Sequence, residues 1–498
     1  MKRPMILAAL LSTAVSLLVI NTGLVADIII ASAALFLFVL SALHKKLRFM
    51  IAVFSVILII LLNSVFTKTN IIKRIEQIDT ETPVAVSGTI ISEYYKDNAA
   101  IFTLKTDENN EILPANIKIS VYTKFAAFST GDRVKCLMYI NSVEKESKAA
   151  RYSVGVYGYA TVSKVLETED TSSLTGLLSD FRGRVTDTLF RYLSKESAAS
   201  VNAVTVGDRY YLDSEFATLV KRSGVSHIMV VSGMHMAIIC GGFLKLLQKL
   251  KFGNRISAVV TGIFVFLFMA LCGFSMSVMR AGITYFIILL GLFLVRRTDP
   301  LNSLCVAVCL ITMLNPFAVN SVAFQLSVMS TAGIIILSSP ISKRTIEILH
   351  IKIWLFKFIV EMLSVTLSAL IFTFPLTVYY FGGVSTVALI TNLLIGEAVS
   401  LSLILAAIAL PLSMLTSLIY IPRGLFFFCE ILTRYFNGVI KYFGSLPWAY
   451  IEVDKTVTVI CYLAIILSFV IIKYIDEIKK VVKHCADSIR ATIKNEYK

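Results

Sequence analysis

Charge is scarce in this sequence, and acidic charge is scarcest. Of its 498 residues 16% are charged, where a soluble domain carries about a quarter, and 57% are apolar. Thirty-two Asp and Glu stand against 47 Lys and Arg, a net charge of +15, which fits basic cytoplasmic loops and an anionic cargo alike. Only five histidines occur. There is no G-x-x-x-x-G-K-[ST] loop, so the chain has no ready site for ATP. A G-x-S-x-G elbow and an H-E-x-x-H pair are missing too, and no catalytic, metal or cofactor set is assigned. The expectation is a protein that is not an enzyme. The eight cysteines fall mostly in apolar runs, and Cys136 stands alone in the one polar region, so no disulfide framework is expected there. Cys305 and Cys309 share a helical face, as small buried residues do.

What the sequence has is apolar length. Runs near 4–20, 28–43, 49–66, 256–272, 281–295, 303–314, 322–338, 358–380, 384–419, 425–445 and 457–472 approach or reach the length of a membrane crossing. Adding residues 223–243 gives about twelve transmembrane or half-membrane helices. Met1-Lys2-Arg3 followed by an apolar run resembles a signal peptide, but further spans follow at once, so a signal anchor is expected. Lys2, Arg3, His44, Lys45, Lys46 and Arg48 fall on one side of the first three spans, and Asp27 on the other. Lys249, Lys251, Arg255, Arg296, Arg297, Lys343, Arg344, Lys352, Lys357, Arg423 and the tail after Lys473 continue the alternation. The positive-inside rule makes that side cytoplasmic, with both termini inside a plasma (inner) membrane.

Residues 67 to about 170 change character. Val-, Ile-, Thr- and Tyr-rich runs at 83–92, 99–105, 115–123, 133–140 and 155–163 are separated by turns, and five short strands suit a small barrel of the OB kind. The predicted fold is thus an all-α polytopic membrane protein with an inserted small extracellular OB-like β-barrel. Its expected parts are N-terminal transmembrane helices (1–66), the barrel (67–170), amphipathic interfacial helices (171–222), a transmembrane domain (223–472) and a basic cytoplasmic tail (473–498). In the barrel Tyr94, Tyr95, Phe102, Tyr122 and Phe125 interleave with Lys96, Lys105, Lys118 and Lys124. Base stacking with phosphate contact fits that pattern, and so do barrel core and solvated rim, because acidic residues about balance the basic ones.

The chain is organised around 223–243, SGVSHIMVVSGMHMAIICGGF. This stretch is apolar enough for a bilayer, yet it carries Ser226, His227, Ser232, Gly233 and His235, and polar groups at that depth usually face a bundle interior or a wet path. On a straight helix the two imidazoles stand roughly 80° and 12 Å apart, too far to share a metal ion, though a break at Gly233 changes that geometry. Arg280, between two apolar spans, either snorkels to the interface or points into a path. Asn315, Gln325 and Ser327 lie within or beside spans, where such groups commonly hold helices together. Asn392 and Glu397 lie in another apolar run, and a carboxylate there is a functional suspect with a proton or cation role open to it.

In register along the chain, Gly207-Asp208-Arg209, SGVSHIMVVSGMHMAII (223–239), Met279-Arg280-Ala281, Arg296 through Asn302, Asn315-Pro316, AFQLSVMSTAGI (323–334) and FPLTVYYFGGVSTVALITNLL (374–394) resemble the signatures of the ComEC family of bacterial competence proteins. Gly131-Asp132-Arg133-Val134 is similar to its N-terminal extracellular domain. The resemblance implies an inner-membrane channel that imports single-stranded DNA in natural transformation. It implies a DNA path lined by Ser226, His227, Ser232, Gly233, His235, Arg280, Gln325, Ser327, Asn392 and Glu397. Outer contacts to DNA are expected from Tyr94, Tyr95, Lys96, Lys118 and Lys124. Membrane lipid, an outer-face DNA receptor, a cytoplasmic helicase-like ATPase and further copies of the chain are the expected partners. Many family members end in a metallo-β-lactamase-like domain, whereas this sequence ends in a short basic tail with the single His484. A form without that domain is expected, with any nuclease role supplied by another protein. Gly396-Glu397 also stands where the family tends to place proline. Two other readings of the residues remain: a secondary transporter of a small solute with Glu397 carrying a proton, and a membrane-embedded hydrolase built on the two histidines.

Overall fold

The computed structural model describes residues 4–21, 48–96, 99–108, 110, 112–123, 128–144, 147–169, 174–414, 420–454, 456, 457 and 460. The expected span 28–43, nearly all of 457–472 and the tail 473–498 lie outside the described residues.

The chain begins with α1 (Pro4–Asn21), where proline holds the first helical position and its missing N–H costs nothing. Helix α2 (Arg48–Thr67) runs on through a π-helical turn (Lys68–Ile72) and a last short turn (Lys73–Glu76) towards the polar region. There β1 (Val84–Lys96), β2 (Ala99–Thr106), β3 (Lys118–Thr123), β4 (Arg133–Ser142) and β5 (Val156–Glu169) close into a barrel in the order β1-β2-β3-β5-β4. All pairs are antiparallel except β3 with β5. Alternate residues face inward, so Phe102 and Leu104, Ile119 and Val121, and Cys136, Met138 and Ile140 form its core. The five strands agree with the sequence reading to within a few residues. Phe102 belongs to the core and is not available for stacking on a base.

Between β4 and β5 sits a short helix, α3 (Lys148–Ser153), which joins the barrel to the helical part. Asn315 Nδ2 donates to the carbonyls of Tyr152 at 3.1 Å and Ser153 at 2.9 Å, and Tyr152 packs edge-on against Phe317, with ring centroids 5.6 Å apart. The amide of Asn315 therefore ties barrel to bundle and not helix to helix.

The helical part continues with α4 (Leu174–Tyr192), α5 (Lys195–Thr205), α6 (Ser214–Arg222), α7 (Gly233–Lys249), α8 (Asn254–Leu271), α9 (Met276–Phe293) and α10 (Pro300–Leu314). Helix α11 (Val322–Gly333) runs through a π-helical turn (Ile334–Ser338) into α12 (Ser339–Ile348). Then come α13 (Trp354–Phe381), β6 (Gly383–Ser385), α14 (Ala388–Ser413), α15 (Tyr420–Ser445) and β7 (Tyr450–Glu452), which pairs with β6. Polar side chains start several helices. Asp213 accepts from the N–H groups of Glu215 and Phe216, and Asp299 from that of Asn302.

Among the described residues six helices are long and apolar enough to cross a bilayer: Ser55–Glu76, Asn254–Leu271, Met276–Phe293, Val322–Ile348, Trp354–Phe381 and Ala388–Ser413. Met5–Leu18 and Pro300–Leu314 are apolar but shorter. The chain is thus a mostly helical, multi-pass membrane protein carrying a small closed five-stranded barrel. Three expectations change. Residues 223–243 are not one span, because helix begins only at Gly233 and 223–232 is irregular. The run 425–445 lies in α15, whose Arg423, Glu430, Arg434 and Lys441 keep it out of the six. Helix α5 is not interfacial: Ser197 through Thr205 are all buried, and it packs on α14 and α15, with Ser200 Oγ 3.0 Å from Asn437 Oδ1. Small residues let backbones approach this closely, so α5 is an inner element of the bundle.

Candidate functional site

The irregular segment 223–232 is held from both sides. Gly224 has φ +77°, and a Cβ there would lie 2.5 Å from Ala388 Cβ and 2.8 Å from Ser385 Cβ, so only glycine lets the segment pack against the start of α14. Its far end, at Val231, rests against Gly207. Val225, Ile228 and Met229 bury their side chains against Ile395 and Val399 of α14, which anchors a stretch with no regular hydrogen bonding. Irregular backbone at membrane depth persists only where protein or a watery recess surrounds it.

Helix α7 begins where this segment ends. His235 is wholly buried, and its Nδ1 accepts from the backbone N–H of Ser232 at 2.9 Å. That assigns the ring proton to Nε2, which has no hydrogen-bond partner at normal geometry. Ser232 Oγ lies 3.1 Å from the same Nδ1. Ser226 and His227 keep exposed side chains on the irregular segment. The straight-helix separation of the two histidines does not apply, since only His235 is helical.

Arg280 meets the start of α7. It lies inside α9 and not between spans, and it is 6% exposed. Its Nε donates to Ser327 Oγ at 3.0 Å, and Ser327 Oγ is 3.2 Å from Ser277 Oγ. A Cβ on Gly233 would lie 2.8 Å from Arg280 Nη2, so the absence of a side chain there lets the guanidinium reach the helix terminus. No carboxylate pairs with Arg280 among the described residues. The arrangement offers a guanidinium fork, two hydroxyls and a helix N-terminus together, a set of donors suited to an oxyanion.

The other expected path residues stand apart. Gln325 is engaged on both sides, its Nε2 donating to the Val319 carbonyl at 2.8 Å and its Oε1 accepting from Tyr380 OH at 3.0 Å. Asn392 is buried in α14 with both amide atoms unpartnered, and Glu397 is exposed on the same helix. No hydrogen bond or ion pair among the described residues ties either to Arg280.

Two contributors were missed in the sequence. Ser277 completes the hydroxyl pair. Arg182, expected on the membrane surface, donates from Nε to the Leu271 carbonyl and holds Nη2 3.0 Å from where a Gly273 Cβ would lie. It closes the end of α8 and so fixes the turn that presents α9 and Arg280. The signal available was the Gly273 break after an apolar run, whose last carbonyls need a donor from elsewhere.

On the barrel, Tyr122 is exposed and Lys118 half-buried, directly opposite Lys105. Burial holds the Lys118 ammonium below its usual range, and the Lys105 charge pushes the same way. Burial also raises the Glu93 carboxyl, helped by Asp132 and opposed by a hydrogen bond from the Thr130 backbone. Lys124 and Phe125, and the side chains of Tyr94, Tyr95 and Lys96, lie outside the described residues.

The profile of the family described as Competence protein matches residues 204–477. ComE operon protein 3 of Bacillus subtilis (strain 168) is 25% identical over 279 residues, 56% of this chain and 33% of that protein. The chain thus aligns with about a third of that relative's length. No solved structure matches.

Proposed function

We infer, since this chain belongs to the ComEC-related family of competence proteins, that it forms the inner-membrane path by which single-stranded DNA enters the cell during transformation. The observation that carries the reading is Arg280, a guanidinium enclosed by the bundle, without a carboxylate partner among the described residues, facing the start of α7. A charge at membrane depth costs at least about 2.5 kcal/mol on insertion scales, so an unpaired one needs a functional reason. Hydrocarbon cannot solvate phosphates, and a polyanion needs transient donors that hold weakly and release. Ser277 and Ser327 supply further donors, with Ser226, His227, Ser232 and His235 along the adjoining segment.

In this reading the barrel lies outside and receives the strand, with Lys96, Lys118 and Lys124 beside Tyr94 and Tyr95 as its contacts. About twelve crossings, both termini cytoplasmic, complete the path. The chain works as a channel and not as an enzyme, and the pull comes from a cytoplasmic helicase-like ATPase. An outer-face receptor delivers the DNA, a separate nuclease removes the second strand, and copies of the chain associate. Glu397, exposed and apart from the buried group, gives the solute-transporter reading no support.

Deleting the gene and following labelled DNA into the cytoplasm tests the function. Complementation with Arg280→Gln is expected to restore protein level and membrane insertion but not import. Import at the full rate with the variant present removes Arg280 from the path, and loss of the protein assigns it a structural role.

A further inference from the structure

We propose that the place where Arg280 meets the start of α7 is a binding site for one small, singly charged inorganic anion, chloride or dihydrogen phosphate, occupied when no DNA is present. The proposal rests on the DNA-path reading only for what displaces that anion. Two like-signed ends face each other here. A 17-residue helix carries roughly half a positive charge at its N-terminus, and Arg280 Nη2 lies 2.8 Å from the position of a Gly233 Cβ. In a low-dielectric bundle such a juxtaposition is repulsive unless an anion joins it.

The donors for that anion are free. The N–H groups of Gly233 and Met234 donate to nothing among the described residues. Arg280 spends only Nε, on Ser327. Among the described residues its two terminal nitrogens make no hydrogen bond, yet they are not among the sealed atoms without a partner, so the tip of this otherwise enclosed side chain keeps some accessible surface. A helix terminus and an unspent guanidinium more than nine-tenths buried thus converge on one place. Among the described residues no carboxylate pairs with Arg280, which keeps the site exchangeable, because a fixed counter-ion would compete with every passing phosphate. A compact monoanion neutralises the pair at rest and leaves when a phosphodiester arrives.

The test uses full-length protein in phosphatidylcholine nanodiscs, with chloride replacing gluconate at constant ionic strength. The melting midpoint is expected to rise by about 1–2 °C at about ten times the half-saturating chloride concentration. Radiolabelled chloride should bind with the same midpoint, and Arg280→Gln should lose both effects. A wild-type midpoint that does not distinguish chloride or inorganic phosphate from gluconate overturns the proposal, whether or not the variant folds. A shift that survives in Arg280→Gln overturns it as well. So does a stabilisation seen only in discs containing phosphatidylglycerol and indifferent to chloride, which assigns the site to a lipid headgroup. A short single-stranded oligonucleotide separates the two readings. Chloride bound but not displaced by it upholds the anion site and removes the DNA path from it. Import lost in Arg280→Gln with no chloride effect removes the anion site and leaves the path.

Discussion

Arg280 is positioned by neutral neighbours, and that decides what can be changed without losing it. A carboxylate partner would fix the guanidinium and neutralise it together. Ser327 fixes it through one hydrogen bond to Nε and leaves the charge intact. A hydrogen bond to a charged group contributes about 1.5–3 kcal/mol, enough to hold a rotamer. Ser327→Ala is therefore expected to keep the protein in the membrane and to lower DNA import by roughly tenfold, against the near-complete loss expected of Arg280→Gln. Labelled-DNA uptake at matched protein level measures both. Equal import in Ser327→Ala and wild type would show that packing alone orients the side chain.

At the scale of elements, the start of α7 and the short helix α3 do the positioning. The apolar spans were legible because a bilayer demands length and composition at once, and α8, α9 and α13 show both. The strands were legible because Phe102, Leu104, Ile119 and Val121 alternate with polar residues. The break was legible only as an option at Gly233; that all of 223–232 is irregular was not, since Ile228, Met229, Val230 and Val231 are as apolar as any helix and pack against α14. Helix α5 was misread for the opposite reason: its alanines, serines and Asn202 look like surface but fill a tight interface. The meeting of Gly233, Arg280 and Ser327 brings together three separate helices, and no spacing in the sequence encodes it. The barrel joint was half legible, since an amide such as Asn315 at the end of a span points to an adhesive role, while its partner is the barrel and not a neighbouring helix. Its side chain spans the joint with two hydrogen bonds, and its loss leaves the Tyr152 carbonyl with the Gly155 N–H and removes the side-chain donor to the Ser153 carbonyl. Asn315→Ala is expected to loosen the barrel by about 1–3 kcal/mol without unfolding it. Hydrogen exchange should then rise at residues 148–155 and stay unchanged in β1 and β2, while faster exchange throughout the barrel would mean that the joint supports its fold.

At the scale of the molecule, the proposed import requires the barrel to occupy the outer side. The barrel follows directly from α2, whose helical path reaches Glu76, and it is fastened to the bundle at the end of α10 by Asn315 and Phe317. The barrel and the α10 end must therefore share a side. Basic residues gather elsewhere: Lys343 and Arg344 lie in α12, and Lys352 and Lys357 flank the start of α13. The positive-inside rule assigns those to the cytoplasm, and one passage through a helix of bilayer length separates them from the opposite face. A cysteine at Glu108, exposed on the barrel, should then react with an impermeant maleimide on intact cells. One at Lys352, exposed beside α13, should react only after the membrane is opened. With Cys461 and Cys485 replaced by serine, the remaining native cysteines at 136, 240, 272, 305, 309 and 429 are buried and add little background. Labelling of Lys352→Cys from outside with Glu108→Cys spared would reverse the protein in the membrane, place the barrel with the ATPase and end the import reading. Labelling of both from outside would break the even alternation of spans on which the two assignments depend.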